Sequence, residues 1–172
     1  SAPQALNSNI NSGYNETGLS ISTDNNLLFF ASDRETGKGK SDIYMCRKLA
    51  NGKWSKAKNL RPVVNTPFDE KYPFMHPNGK TLYFSSNGHK EKSMGGYDIY
   101  FTKLQDNGTW SEPKNAGYPI NTTRDDFYYY ISADGKRYYS GLTKENSYDI
   151  FSILEGGYDM ADLDDEARII EL

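Results

Sequence analysis

Apolar and polar positions in this chain alternate in short runs, at the spacing of strands rather than helices, and the runs recur. Three stretches lie over one another without a gap: ALNSNINSGYNETGLSISTDNNLLFFAS from Ala5, NLRPVVNTPFDEKYPFMHPNGKTLYFSS from Asn59 and NAGYPINTTRDDFYYYISADGKRYYSGL from Asn115. Each holds an Asn-Ser/Thr pair, an acidic cluster, a short alternating run, a polar turn and an aromatic run. A second block follows each: SDIYMCRKLANGKWSKAK, YDIYFTKLQDNGTWSEPK and the shorter YDIFSIL. The offset is about 54 residues and then about 56, a period that marks a repeat architecture.

Each unit predicts four strands. The first covers Gly18 to Ser22, Tyr72 to Met75 or Phe127 to Ser132. A turn follows at Asp24-Asn25, Asn78-Gly79 or Asp134-Gly135, the last two being strong hairpin signals. The second strand is LLFFAS, TLYFSS or RYYSG, rich in residues that favour a pleated sheet. A polar loop leads to the third strand at Asp42-Ile43-Tyr44, Asp98-Ile99-Tyr100 or Asp149-Ile150-Phe151. Asn51-Gly52 and Asn107-Gly108 then turn the chain into a fourth strand beginning at Trp54 or Trp110. Four antiparallel strands per repeat describe a β-propeller blade, so the fold expected is all-β. Residues 1–14 form a lead-in, 15–58 the first blade, 59–114 the second and 115–154 a third whose outer strand is missing or replaced. The tail, 155–172, offers Arg168 to Leu172 as a replacement strand or Asp162 as the cap of a short helix. Three blades do not close a ring, so they are expected to belong to a larger or assembled propeller. Aromatic runs around Phe29, Phe84 and Tyr139 are expected to leave the outer faces of the first and third blades exposed.

Composition fits this picture. Mean hydropathy is −0.80, yet the chain carries 14 Tyr and 8 Phe, so its core is built from aromatic rings. The net charge is −3, and the tail holds seven acids against one Arg, which leaves the repeats mildly basic. No Lys/Arg stripe interleaves with the aromatics, which argues against nucleic acid as a partner. Cys46 is alone and forms no intrachain disulfide. Apolar runs such as LLFFA are far short of a membrane span, and the opening SAPQALN lacks the charged and apolar segments of a secretion signal.

The shared pattern is Pro/Val-Ile/Val-Asn-Thr, Asp/Glu, Asp/Asn-Gly-Lys, Leu-Tyr-Phe-Ser-Ser, Gly-Tyr-Asp-Ile-Tyr and Gly-x-Trp-Ser-x-Pro-x-Asn. It resembles the TolB-like, WD-like propeller repeats, and most of all those of cell-envelope proteins in Bacteroidetes-type bacteria. The resemblance covers about residues 5 to 154. It implies a periplasmic or outer-membrane-associated module, set beside OmpA-like peptidoglycan-binding domains or within type IX secretion and gliding machinery. No OmpA-like domain is present in these residues, and the third unit departs from the pattern after Leu154.

In an up-and-down blade, the loop after strand two and the connection into the next strand one share a face. That face is expected to collect Asn11, Asn65 and Asn121 with Glu16, Glu70 and Asp126, together with Arg34, Lys38, Lys40, His89, Lys90 and Lys92 from two variable loops. Arg34, Lys38, Lys40, Glu70, His89, Lys90, Lys92 and Asp126 are the binding-face candidates, and the hairpin tips are expected to be inert. The recurring Asn-Ser/Thr pair suits backbone bonding in a turn that every blade needs. Asp42, Asp98 and Asp149 are expected to bond loop amides, and Trp54 and Trp110 to pack between blades.

Some propeller glycosidases carry catalytic carboxylates on inner strands, but catalysis needs two in differing environments, and repeated positions suggest equivalent ones. Gly39-Lys40-Ser41 lacks the glycine and helix of a phosphate loop, His76 and His89 lack zinc-ligand spacing, and the acidic tail lacks the central glycine of a calcium loop. The reading is therefore a scaffold with no catalytic residue, metal or cofactor, its partner being an envelope protein or further blades. The rivals are a carbohydrate-binding or carbohydrate-cleaving propeller and the accessory propeller of a peptidase.

Overall fold

The computed structural model describes residues 2–90, 93–132 and 134–153. Lys92, Leu154 and the acidic tail, with its expected strand or helix, lie outside these residues. Strands β1 (Glu16–Ile21), β2 (Leu27–Ser32), β3 (Asp42–Arg47) and β4 (Lys58–Asn59) form one antiparallel sheet in that order. The pattern repeats in β5 (Glu70–Met75), β6 (Thr81–Ser86), β7 (Asp98–Lys103) and β8 (Lys114–Asn115). A third sheet holds β9 (Asp126–Ile131), β10 (Arg137–Leu142) and β11 (Tyr148–Ile153). There is no α-helix among the described residues.

Strands β2 and β6 are buried at every position because the faces of these sheets are covered on both sides. Leu27, Phe29, Ile43 and Met45 of the first blade meet Met75, Leu82, Phe84 and Tyr100 of the second. Tyr83, Ile99 and Phe101 meet Tyr129, Ile131 and Tyr139 of the third. Leu28, Phe30, Tyr44 and Cys46, on the far side of the first blade, lie under Ile10, Trp54 and Ala57. Asn9 ties that cover down, donating from Nδ2 to Trp54 O at 2.7 Å and accepting from Ala57 N at 3.1 Å. The outer face of blade 1 is thus closed by its own lead-in, contrary to expectation, and the rings of Phe29, Phe84 and Tyr139 are themselves buried. The exposed face lies on the third blade, at Tyr148 and Ile150.

Two further expectations are corrected. The fourth strands do not begin at the tryptophans. Trp54 and Trp110 each make one isolated bridge, to Lys48 and Leu104, and regular pairing resumes only at β4 and β8. In between, Ser55 and Ser111 use their hydroxyls to accept from Arg47 N and Lys103 N, which takes those amides out of the ladder. Trp110 does lie between blades, edge-on to Phe29 at 5.9 Å, and Trp54 takes the equivalent place on the outer face of blade 1.

The repeats also do not superimpose without a gap. Glu16 pairs with Ser32 and Glu70 with Ser86, but Asp126 pairs with Gly141 rather than Leu142. The third hairpin is one residue shorter, closing Ser132 N on Lys136 O where the second closes His76 N on Thr81 O. A slip of one residue exchanges the faces of a strand, so Tyr139 takes the place of Phe84 rather than that of Tyr83.

Candidate functional site

The Asn of each Asn-Ser/Thr pair clips one blade to the next. Asn65 Oδ1 accepts from Ile43 N and its Nδ2 donates to Ile43 O, both at 2.8 Å. Asn121 repeats this on Ile99 at the same distances. Each amide thus acts as one more residue of strand pairing at the outer edge of strand three. A second asparagine orients it: Asn65 Nδ2 also reaches Asn59 Oδ1, and Asn59 Nδ2 donates to Asp42 Oδ2 at 2.7 Å. Asn115 joins Asn121 to Asp98 in the same way. Asp42 further accepts from Lys38 N and from Gly39 N, and Asp98 from Met94 N. Asp149 is exposed and Asn11 only partly buried, its Nδ2 held by Leu6 O, because each is at an end of the run of blades.

The Ser or Thr of the pair serves the carboxylate four residues on. Ser12 donates its amide and hydroxyl to Glu16, Thr66 to Glu70 and Thr122 to Asp126. Glu70 and Asp126 are 0% exposed, so neither lines an open funnel. The three equivalent carboxylates nevertheless sit in different fields. Burial raises Glu70, against the pull of Thr66 and Ser86. Burial also raises Asp126, to about 6. Glu16 is pushed up by burial too, but the bonds from Ser12 and Arg34 outweigh it and hold the carboxyl low.

Two of the expected rim bases turn inward. Arg34 Nη2 donates to Ile10 O and to Glu16 Oε1, both at 2.8 Å, while its guanidinium lies over the rings of Phe30 and Tyr44. His89 occupies the equivalent place one blade on. Its Nε2 bonds Val64 O at 3.1 Å and its ring packs against Tyr100 and Phe84. Both side chains latch the segment entering the blade onto an aromatic pair, and neither is a free cation of the surface. Lys38, Lys40 and Lys90 remain exposed, with Lys90 Nζ 4.4 Å from the centre of the Phe68 ring. Gly39 lets this loop touch the next unit, since a Cβ there would stand 1.6 Å from Phe68 O.

A feature that sequence reasoning missed runs down the inner strands. Gly18, Tyr72 and Tyr128 all have positive φ, at the same bulge in each blade. Their signal was a glycine aligned over two tyrosines. The bulge turns Tyr72 against Tyr128 with ring centres 3.8 Å apart, and Phe74 lies 5.1 Å from Tyr130. Beside them Tyr97 donates to Asp69 Oδ2 at 2.7 Å and accepts from Lys71. Towards the hairpin tips the inner strands form an open groove of about 830 Å³, lined by Leu19, Ile21, Phe74, His76 and Tyr130. The end expected to be inert therefore carries an apolar concavity.

No family model matches this sequence, and no curated protein does. Solved structures do. TolB from Acinetobacter baumannii superimposes with a TM-score of 0.55 at 20% identity, over 82% of this chain and 30% of that one. A thermostable family-43 glycoside hydrolase superimposes with a TM-score of 0.52 at 16% identity, over 87% of this chain and 58% of that one. The chain is a run of β-propeller blades. At these identities the likeness carries the fold alone, and this chain spans 30% and 58% of the two proteins it matches.

Proposed function

We propose that this chain is a non-catalytic propeller module acting as a protein-interaction scaffold of a bacterial cell envelope, in the periplasm or at the outer membrane. The observation that carries this reading is the fate of the inner-strand carboxylates. Glu70 and Asp126 are fully buried and bonded to the turn four residues upstream, which braces the blade and leaves neither of them accessible for acid and base work. The exposed lysines Lys38, Lys40 and Lys90 form the basic part of the partner-facing surface. The link to peptidoglycan-anchored or type IX secretion proteins comes from the repeat resemblance. Partner capture from envelope extracts should weaken on charge reversal at Lys38 and Lys90 but not with Lys80→Glu at a hairpin tip. The opposite ranking overturns the assignment.

The second reading is carbohydrate binding, favoured by the Tyr72–Tyr128 stack and the Phe74–Tyr130 pair along the inner wall. A glycan array with a parallel hydrolysis assay separates the two. Binding that Tyr128→Ala abolishes, without turnover, would favour this second reading.

A further inference from the structure

Ile43, Ile99 and Ile150 occupy the same position in strand three of successive blades. The first two are 0% exposed and Ile150 is 81% exposed. The difference follows from what covers them. Asn65 grips Ile43 N and O, and Val64 packs in the same cluster as the Ile43 side chain. Asn121 and Ile120 do the same for Ile99. Ile150 needs an apolar-Asn-Ser/Thr segment in that place, but no asparagine follows Asn146 in the sequence. Among the described residues, the asparagine clips fall on Ile43 and Ile99 and none falls on Ile150.

The complementary half is present at the other end of the chain. Ile10-Asn11-Ser12 matches Val64-Asn65-Thr66 and Ile120-Asn121-Thr122 residue for residue. Ile10 already lies against Phe30 and Tyr44, as Val64 lies against Phe84 and Tyr100. Ser12 already holds Glu16, as Thr66 holds Glu70. Asn11 alone departs from its counterparts, bonding Leu6 O instead of a neighbouring isoleucine. One end thus carries an asparagine clip without its strand, and the other a strand edge without its clip.

We propose that Asn11 of one molecule clips the backbone of Ile150 in a second copy of this chain, joining blade 1 of one molecule to blade 3 of the other. The contact is heterologous, so it closes two or more copies into a ring or continues as a chain. It uses the second hydrogen of Asn11 Nδ2, the first being held by Leu6 O, just as Asn65 Nδ2 donates to both Asn59 Oδ1 and Ile43 O, and it reproduces the bonds seen twice within the molecule. It goes beyond the scaffold reading and stands whichever partner that scaffold takes.

Sedimentation velocity of the 172-residue chain over a concentration series tests it. The wild type should gain mass with concentration, and Asn11→Ala and Ile150→Arg should each sediment as monomers. Both positions are exposed or partly so, and circular dichroism checks that the variants are folded. Asn11→Asp retains the shape but loses the donor, and should fail as the alanine does. An equimolar mixture of Asn11→Ala and Ile150→Arg should recover a dimer and nothing larger, because one intact clip and one intact edge remain. A wild type that stays monomeric at every concentration overturns the proposal. So does association that either variant leaves intact, or a mixture that stays monomeric while the wild type associates.

Discussion

Asp126 is the shortest of the three inner-strand carboxylates and the least well served. In blade 2 the Ser86 hydroxyl donates to Glu70 Oε1 at 2.8 Å, whereas Gly141 stands in that place in blade 3 and Asp126 Oδ1 is buried without a partner. Burial raises this carboxyl from 3.8 to about 6 in the folded chain. The unfolded chain therefore ionises first as pH rises. This group's contribution to stability is full below about pH 4 and is lost as pH climbs through about 6, with an upper bound of about 3 kcal/mol. Gly141→Ser should restore the missing donor. The added Cβ would lie 2.9 Å from Asp126 Oδ1, so the carboxyl has to swing by a few tenths of an ångström. The expected result is a gain of about 1 kcal/mol near pH 7 that vanishes near pH 4, read by denaturant unfolding at both. An equal change at both values would show that the carboxylate's charge is not involved.

Among the elements, the asparagine clip and the strand edge it closes form the unit that recurs. Removing it inside the molecule exposes its worth. Asn65→Ala leaves Ile43 N buried with no acceptor and Ile43 O with Leu60 N alone, and should cost about 2–3 kcal/mol. Asn11→Ala, measured on dilute monomer, gives up one partly exposed bond to Leu6 O and should cost less than about 1 kcal/mol. Thermal or urea unfolding of the two variants side by side checks the ranking, and equal losses would refute it. The Asn-Ser/Thr pair was legible because the repeat displays it three times. Its division of labour was not: the Asn acts backward on the preceding blade and the Ser/Thr forward on its own. Arg34 and His89 hid for a different reason. They do the same job on Ile10 and Val64 from loops of different sequence, so no alignment pairs them.

Across the whole molecule, stability is graded along the run of blades. β3 and β7 are buried almost throughout, while five of the six residues of β11 are exposed. Amide hydrogen exchange of the monomer should be slowest in β2, β3, β6 and β7 and faster by orders of magnitude in β11, because opening the last strand uncovers little apolar surface. Uniform protection from β1 to β11 would contradict this gradient. The graded profile also follows from the lead-in covering blade 1, which makes the two ends of the molecule unlike each other.

The repeat, the antiparallel strands and the blade are legible in the residue pattern alone. Each depends on local alternation and turn chemistry, which are the same wherever the chain is placed. The register of the third hairpin was set by packing between strands. One deleted turn residue leaves the pattern of residue types almost unchanged, yet it exchanges the faces of β10 and sets Gly141 rather than Leu142 opposite Asp126. Tertiary packing likewise decided that Arg34 and His89 face inward, that Glu70 and Asp126 are sealed, and that Ile150 stands bare while Ile43 and Ile99 are covered. Those outcomes depend on which residues of a neighbouring blade arrive at a given surface, and contacts between repeats leave no trace in the periodicity of any one of them.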